Sequence, residues 1–468
     1  MVINPPCTPL YHPSILAAAH HPVPPVFGIS MVMGCRPSSP EPHPDTESDR
    51  NTPSDPSNEP ATVKQRNYRP SIASLQIPKE LDDISSDGMS ERSGENETEE
   101  NMDYLCHTDV TLQWLLQRMS DKFGKDVEEE PQWITERLNR PNFNDYATSL
   151  VIRVTFGWEN EDLPKSAILK LPIPRENRDD EDGKYHYLLF KRECNVYEWT
   201  QHFPKIPAPK IFHIKHRKEG GGGSGVVVME DVGERGTQQE AVRGLSVEVV
   251  SDLLKHLALI HSTSMKHSSW STLIADLPPS YYSYIIGDFD KTMDFFENND
   301  IEHSRFVYTA KYFTTEYLHS TATESSDELS VPRVLVQGEP YAPNVFTDLK
   351  EEDKVTALID WTECHSGCFA EDLAKAICWN LSTKDRLECT ASLLEVYHYH
   401  LNEFGTGDVQ ITLEAVRKAY ERFLPFAMVT LVGKVMQVRQ EDDIETLVER
   451  AKGLIQNVYA TQRMMQDG

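Results

Sequence analysis

The chain has 468 residues, 39% of them apolar, with 46 Lys and Arg against 74 Asp and Glu and a net charge of −28. That length supplies a large core, while the acidic balance argues against sequence-independent nucleic-acid binding and against docking on an anionic membrane face. No run approaches the roughly 20 apolar residues of a membrane span, and eight irregularly spaced cysteines read as reduced thiols of a cytoplasmic protein rather than a disulfide framework.

Residues 1–104 differ from the rest. They hold 16 of the 30 prolines and 16 acidic against 7 basic side chains, with no apolar periodicity. Such a stretch buries too little apolar surface to offset its ordering entropy, so it is predicted to be a disordered acidic, Pro-rich tail. Pro5, Pro6, Pro9 and Pro13 break any signal-peptide core. Acid-flanked Ser85, Ser86 and Ser90 are candidate kinase targets, an unmodified tail being the simpler reading, and the tail leaves room for protein partners.

From about Asp109 the pattern becomes globular. Leu112, Leu115, Leu116 and Met119 share one face of a helix predicted over Thr111–Phe123. Leu150, Ile152, Val154 and Phe156 alternate with polar or smaller residues as a strand, and Ser166–Leu171 reads as a second. A helix follows over Tyr185–Gln201, then strands at Lys210–Ile214 and Gly225–Met229. The glycine run between those strands lacks the Lys-Ser/Thr of a P-loop and reads as a hairpin connection. Beyond Asp231 the chain turns mainly helical, beginning with a helix capped by Ser246, interrupted by short apolar strands at Arg333–Val336 and Val355–Ile359, and ending in four or more helices from Glu371. The predicted class is therefore α+β in two lobes, with a sheet-bearing N-lobe at 105–232 and a helical C-lobe at 233–468.

Chemistry-bearing residues stand out against this framework. Lys170 lies mid-strand among apolar neighbours, where its ammonium must reach an edge or meet an anion. Glu193 falls on the apolar stripe of Leu189, Phe190, Val196 and Tyr197, a costly place for an unpaired carboxylate. Lys170 is its natural partner. Gln337-Gly338-Glu339 follows a short apolar strand, Asn344 comes five residues after Glu339, and Asp360 ends the next strand. A carboxylate that orients an attacking hydroxyl, plus an amide oxygen and a second carboxylate that hold Mg²⁺, are what phosphoryl transfer requires. Cys364 and Cys368 have no second pair at zinc-finger spacing and read as structural thiols. Trp361, Trp379 and Tyr341 are candidates for an aromatic cage around a quaternary ammonium, with ordinary core packing the simpler account. His261 reads as a satisfied buried histidine.

On these residues the chain resembles the nematode branch of the choline-kinase-like/ecdysteroid-kinase-like (CHK) family, which shares the aminoglycoside-phosphotransferase version of the protein-kinase fold. The family's His-Gly-Asp-x-x-x-x-Asn, Ile-Asp-Trp, His-x-Gly and Glu-Asp-Leu-Ala stretches match Gln337–Asn344, Ile359-Asp360-Trp361, His365-Ser-Gly367 and Glu371–Ala374. The resemblance implies a bilobal fold, ATP and Mg²⁺ as cofactors, and a small-molecule hydroxyl as acceptor. It places Lys170 on the nucleotide phosphates with Glu193 anchoring it. It puts Glu339 in the place of the family's catalytic aspartate, gives Mg²⁺ to Asn344 and Asp360, and makes Met229 and Glu230 part of the hinge that meets adenine. Three departures set this chain apart: Glu339 for Asp, Gln337 for His, and no glycine in Leu138–Ser149, where the family has a phosphate loop. Two readings stay open: a weak ATP/Mg-dependent phosphotransferase, and a pseudokinase-like interaction protein with impaired or absent catalysis.

Overall fold

The computed structural model describes residues 104–124, 127, 131–138, 149–173, 181–217, 225–274, 276–287, 289–405, 410–437 and 444–467. Residues 1–103 of the expected tail, residues 139–148 of the loop and most of the glycine run fall outside the described residues.

The first helix, α1 (Leu112–Phe123), starts where the Thr111 hydroxyl accepts from Trp114 N and stops at Gly124, whose φ of 58° any larger side chain would resist. A five-stranded sheet follows, built from β1 (Trp133–Arg137), β2 (Ser149–Phe156), β3 (Ser166–Pro172), β4 (Ile211–Lys215) and β5 (Val226–Glu230) in the order β1-β2-β3-β5-β4. Every neighbouring pair in it is antiparallel. The continuous apolar run of β5 is explained by burial on both sides. Val226 and Val228 join Ile152, Val154, Leu169, Leu171 and α1 on one face. Val227 and Met229 face the other core, which includes Leu189, Phe190, Val196 and Tyr197 of α2 (Glu181–Thr200).

A short strand, β6 (Gly236–Gln238), leads to α3 (Val247–Lys266), where Ser246 accepts from Val249 N as expected of a cap. Helices α4 (Pro279–Ile286), α5 (Phe289–Asn298), α6 (His303–Thr309) and α7 (Thr315–Glu328) come next. The strands β7 (Arg333–Val336), β8 (Val345–Asp348), β9 (Val355–Leu358) and β10 (His365–Cys368) form two small antiparallel sheets, ordered β10-β7 and β6-β8-β9. The chain closes with α8 (Ala370–Asn380), α9 (Thr383–Phe404), α10 (Leu413–Gln437) and α11 (Glu445–Asp467).

The architecture is the α+β, bilobal, protein-kinase-like one that the motif pattern implied. Some details differ from the sequence reading, which had no strand at β1. The small sheets contain β6, β8 and β10, whose three or four residues are too few for a period to register. Pro425, which interrupts the apolar run Phe423–Val432, lies inside the unbroken α10. A mid-helix proline costs about 3 kcal/mol; here the burial of Phe423, Phe426, Ala427, Met428 and Val429 around it outweighs that cost.

Candidate active site

Lys170 is paired across the sheet with Val227, on the face that looks toward α2. Its Nζ lies 2.8 Å from Glu193 Oε1 and 2.8 Å from Asp360 Oδ1. Three residues spread over 190 positions of sequence thus meet at one ammonium. Glu193 is fully buried, as its place on the apolar stripe of α2 requires, and its Oε1 also lies 3.4 Å from Trp361 N.

Two carboxylates share one cation, and their surroundings push them apart. Burial, with Asp360 nearby, raises the Glu193 pKa despite Lys170. Burial works the same way on Asp360, but Lys170 and the Thr362 hydroxyl, 2.8 Å from Oδ1, hold its carboxyl below the ordinary range. Lys170 is itself raised: burial opposes its charge, and Asp360 and Glu193 overcome that. Asp360 has φ 56°, a left-handed conformation that Asp tolerates better than most residues and that recurs at functional sites.

The loop after β7 is held by side chains of its own and of α8. Gln337, buried, donates from Nε2 to Ile359 O (3.2 Å) and Asp360 O (3.1 Å), and its Oε1 accepts from Glu339 N at 2.8 Å. The amide therefore ties the Glu339 turn to the Asp360 turn. Gly338 adopts φ 97°, and a Cβ there would come within 2.7 Å of Glu363 O. Asn344 Nδ2 donates to Glu339 O at 3.1 Å, so its amide oxygen is not used in that bond. Asp372 accepts from Gln337 N (2.8 Å) and Gly338 N (2.9 Å), and its Oδ2 lies 3.0 Å from His261 Nε2. His261 is completed by Tyr397 OH at 2.9 Å, the satisfied buried histidine expected. His365, between the two cysteines, contacts Glu363 O and Glu371.

Glu339 forms an ion pair with Lys434 of α10. Glu363 receives the Tyr281 hydroxyl, and burial together with the negative Glu339 lifts its carboxyl to about 8. Lys434, Glu363 and Asp372 were not singled out as site residues from sequence. Lys434 had a signal: a lysine two residues beyond ten nearly unbroken apolar positions must find a counter-ion if its helix is buried. Glu363 and Tyr281 had none, since their contact exists only in the tertiary structure.

The hinge stretch is placed differently from a bare nucleotide edge. Met229 is buried opposite Ile168 and Ile211. Glu230 turns its carboxylate to Arg235 Nη2 (2.7 Å) and Lys210 N (3.0 Å), and its own N–H donates to Lys210 O at 2.9 Å. The aromatic residues do not enclose a free space for a cation. Trp361 is fully buried, its indole N–H donating to Leu358 O, and Lys375 stands over Trp379.

For Mg²⁺, the donor chemistry fits in part. Asp360 keeps 35% side-chain exposure, and Oδ1 is taken by Lys170 and Thr362. The Asp360 carboxylate and the Asn344 amide oxygen are hard donors, and Mg²⁺ binds through one or two protein oxygens while keeping its waters. Among the described residues no group of three or more His, Cys, Asp or Glu is arranged for a metal.

A two-lobed kinase-like protein with a lysine–glutamate–aspartate centre is thus what the fold and the site define. The chain belongs to the family whose model is described as "Uncharacterized oxidoreductase dhs-27", which matches residues 178–467. No curated protein matches the sequence. Among solved structures it is similar to choline kinase from Cryptosporidium parvum, at 11% identity and a TM-score of 0.46 over 75% of this chain and 94% of that one. It is also similar to choline kinase LicA from Streptococcus pneumoniae, at 14% identity and a TM-score of 0.40 over 73% of this chain and 97% of that one. A microcompartment-associated aminopropanol kinase matches at 12% identity and a TM-score of 0.44 over 74% and 98%.

Proposed function

We propose that the chain is a cytoplasmic phosphotransferase that moves the terminal phosphoryl group of ATP to the hydroxyl of a small molecule. The observation that carries this reading is the shared ammonium: Lys170 Nζ at 2.8 Å from both Glu193 and Asp360. In this reading Lys170 grips nucleotide phosphates and Glu193 holds it in place. Asp360 and the Asn344 oxygen would hold Mg²⁺, which would neutralise charge on the phosphates. Glu339 receives the acceptor proton as the acceptor oxygen bonds to phosphorus and ADP departs with the electrons of the broken P–O bond. Met229 and Glu230 flank the adenine.

The family's printed description suggests oxidoreduction instead. A dinucleotide-binding oxidoreductase of the parallel-sheet kind needs a βαβ unit with a glycine loop ahead of a helix. Among the described residues every strand pairing is antiparallel, and the glycine run Gly220–Gly225 connects β4 to β5.

A second reading, an interaction protein with impaired catalysis, draws support from the Glu339–Lys434 ion pair, which engages the carboxylate that would take the proton. Thermal melting with ATP and Mg²⁺ tests both. Nucleotide at 100 times its dissociation constant stabilises by about 2.7 kcal/mol; no shift at millimolar ATP sinks the phosphotransferase. If the shift appears, Glu339→Asp separates the readings. A large gain in turnover marks a crippled native site, and a loss marks Glu339 as adapted to its own acceptor.

A further inference from the structure

Ring faces beside a carboxylate are what an ammonium ligand needs. Here the chain's own lysines take them. Lys434 pairs with Glu339 and stands 5.6 Å from the centre of the Tyr341 ring. Tyr341 meets Trp379 edge to face at 5.5 Å, and Lys375 lies 5.4 Å from the centres of both Trp379 and Phe426. Lys375 is buried and held by Gly338 O (2.6 Å) and Glu371 (2.8 Å). Lys434 differs: its side chain keeps 28% exposure, so a solute can approach it.

Resting on the phosphotransferase reading, we propose that Lys434 is a specificity-determining residue. It stands where a cationic acceptor would put its charge, beside Glu339 and over Tyr341, so the acceptor is an uncharged alcohol and choline-like or amino-alcohol acceptors are rejected. A hydroxyl brought to Glu339 arrives next to the Lys434 ammonium. A second positive charge in that half-buried place meets repulsion at short range, where water screens weakly. An uncharged acceptor meets none, and it leaves the Glu339–Lys434 pair intact.

The test uses the full chain and an isosteric pair of alcohols: choline, and its carbon analogue with a tert-butyl group in place of the trimethylammonium. Isothermal titration is run on protein loaded with a non-hydrolysable ATP analogue and Mg²⁺. The native chain is expected to bind the carbon analogue at least about tenfold more tightly than choline. Lys434→Met should reverse that order, and Lys434→Arg should keep it. If Lys434→Met does not fold, the double variant Glu339→Gln/Lys434→Met removes both charges together and should also lose the preference. Three results overturn the proposal: native protein that binds choline as tightly as the analogue, a ratio unchanged by removing the lysine, or no binding of either alcohol by any form. Failure of the nucleotide to bind is read separately, by the absence of a melting shift. It removes the phosphotransferase reading, while the same titration on nucleotide-free protein still decides the part played by Lys434.

Discussion

Burial and the neighbouring Glu339 charge hold the Glu363 carboxyl at about 8, against 4.5 for the free side chain. Its native state therefore keeps a proton that the unfolded chain gives up. A raised pKa contributes stability that is full below about 4.5 and is lost as pH rises through about 8. Glu363→Gln should flatten that limb of a plot of urea midpoint against pH; an unchanged slope between pH 5 and 8 would refute the assignment. Glu371 carries the opposite sign. Burial would raise it, but Lys375 and His365 pull it down to about 2. Its contribution is present above about 4.5 and fades as pH falls toward 2. Glu371→Gln should lower the midpoint at neutral pH and remove the acid limb, and the two variants together distinguish residues only eight apart in sequence.

At the scale of elements, α8 supports the loop that carries Glu339. All eleven of its residues are buried, and three of its polar members reach that loop. Asp372 takes the Gln337 and Gly338 amides, Lys375 donates to Gly338 O, and Asn380 accepts from Ala342 N and donates to Pro340 O. The spacing 372, 375, 380 keeps these groups within one side of a helix. Asn380→Leu preserves approximate size but orphans an amide and a carbonyl, and should cost about 1–3 kcal/mol in denaturant unfolding. A loss under a few tenths of a kcal/mol would mean that solvent satisfies the loop instead. Gly338 is the other fixed point: Gly338→Ala meets both a φ of 97° and the Glu363 carbonyl at 2.7 Å, and should lower the melting temperature even though it adds only a methyl.

Over the whole molecule, the Lys170 contacts join the five-stranded sheet, α2 and the turn after β9. Lys170→Met leaves Glu193 and Asp360 facing each other without their cation, and breaking a buried pair in this way costs about 3–5 kcal/mol. The double variant Lys170→Met/Asp360→Asn should recover part of that loss, because one of the two stranded charges is gone. Strict additivity in the cycle would show that the ammonium and the carboxylate do not interact in solution.

Much of this could be read along the chain. Lys170 and Glu193 each violate the pattern of their own element, a charge amid apolar neighbours, and such violations demand a partner wherever the element is buried. Helix periodicity and the Ser246 cap are local properties, so α1 was visible with nearly correct ends and α3 with its start, though α3 runs on to Lys266, past the His261 where the apolar periodicity stops. The sequence by itself pointed to the two-lobed α+β class and to Glu193 as the partner of Lys170, while the place of Asp360 beside them was expected only through the family resemblance. Tertiary structure alone decided where the Glu339 carboxylate goes, that Gln337 ties two turns together, and that Glu363 retains a proton. Those depend on which helix passes which loop, and distances between elements separated by many tens of residues leave no trace in the periodicity of either.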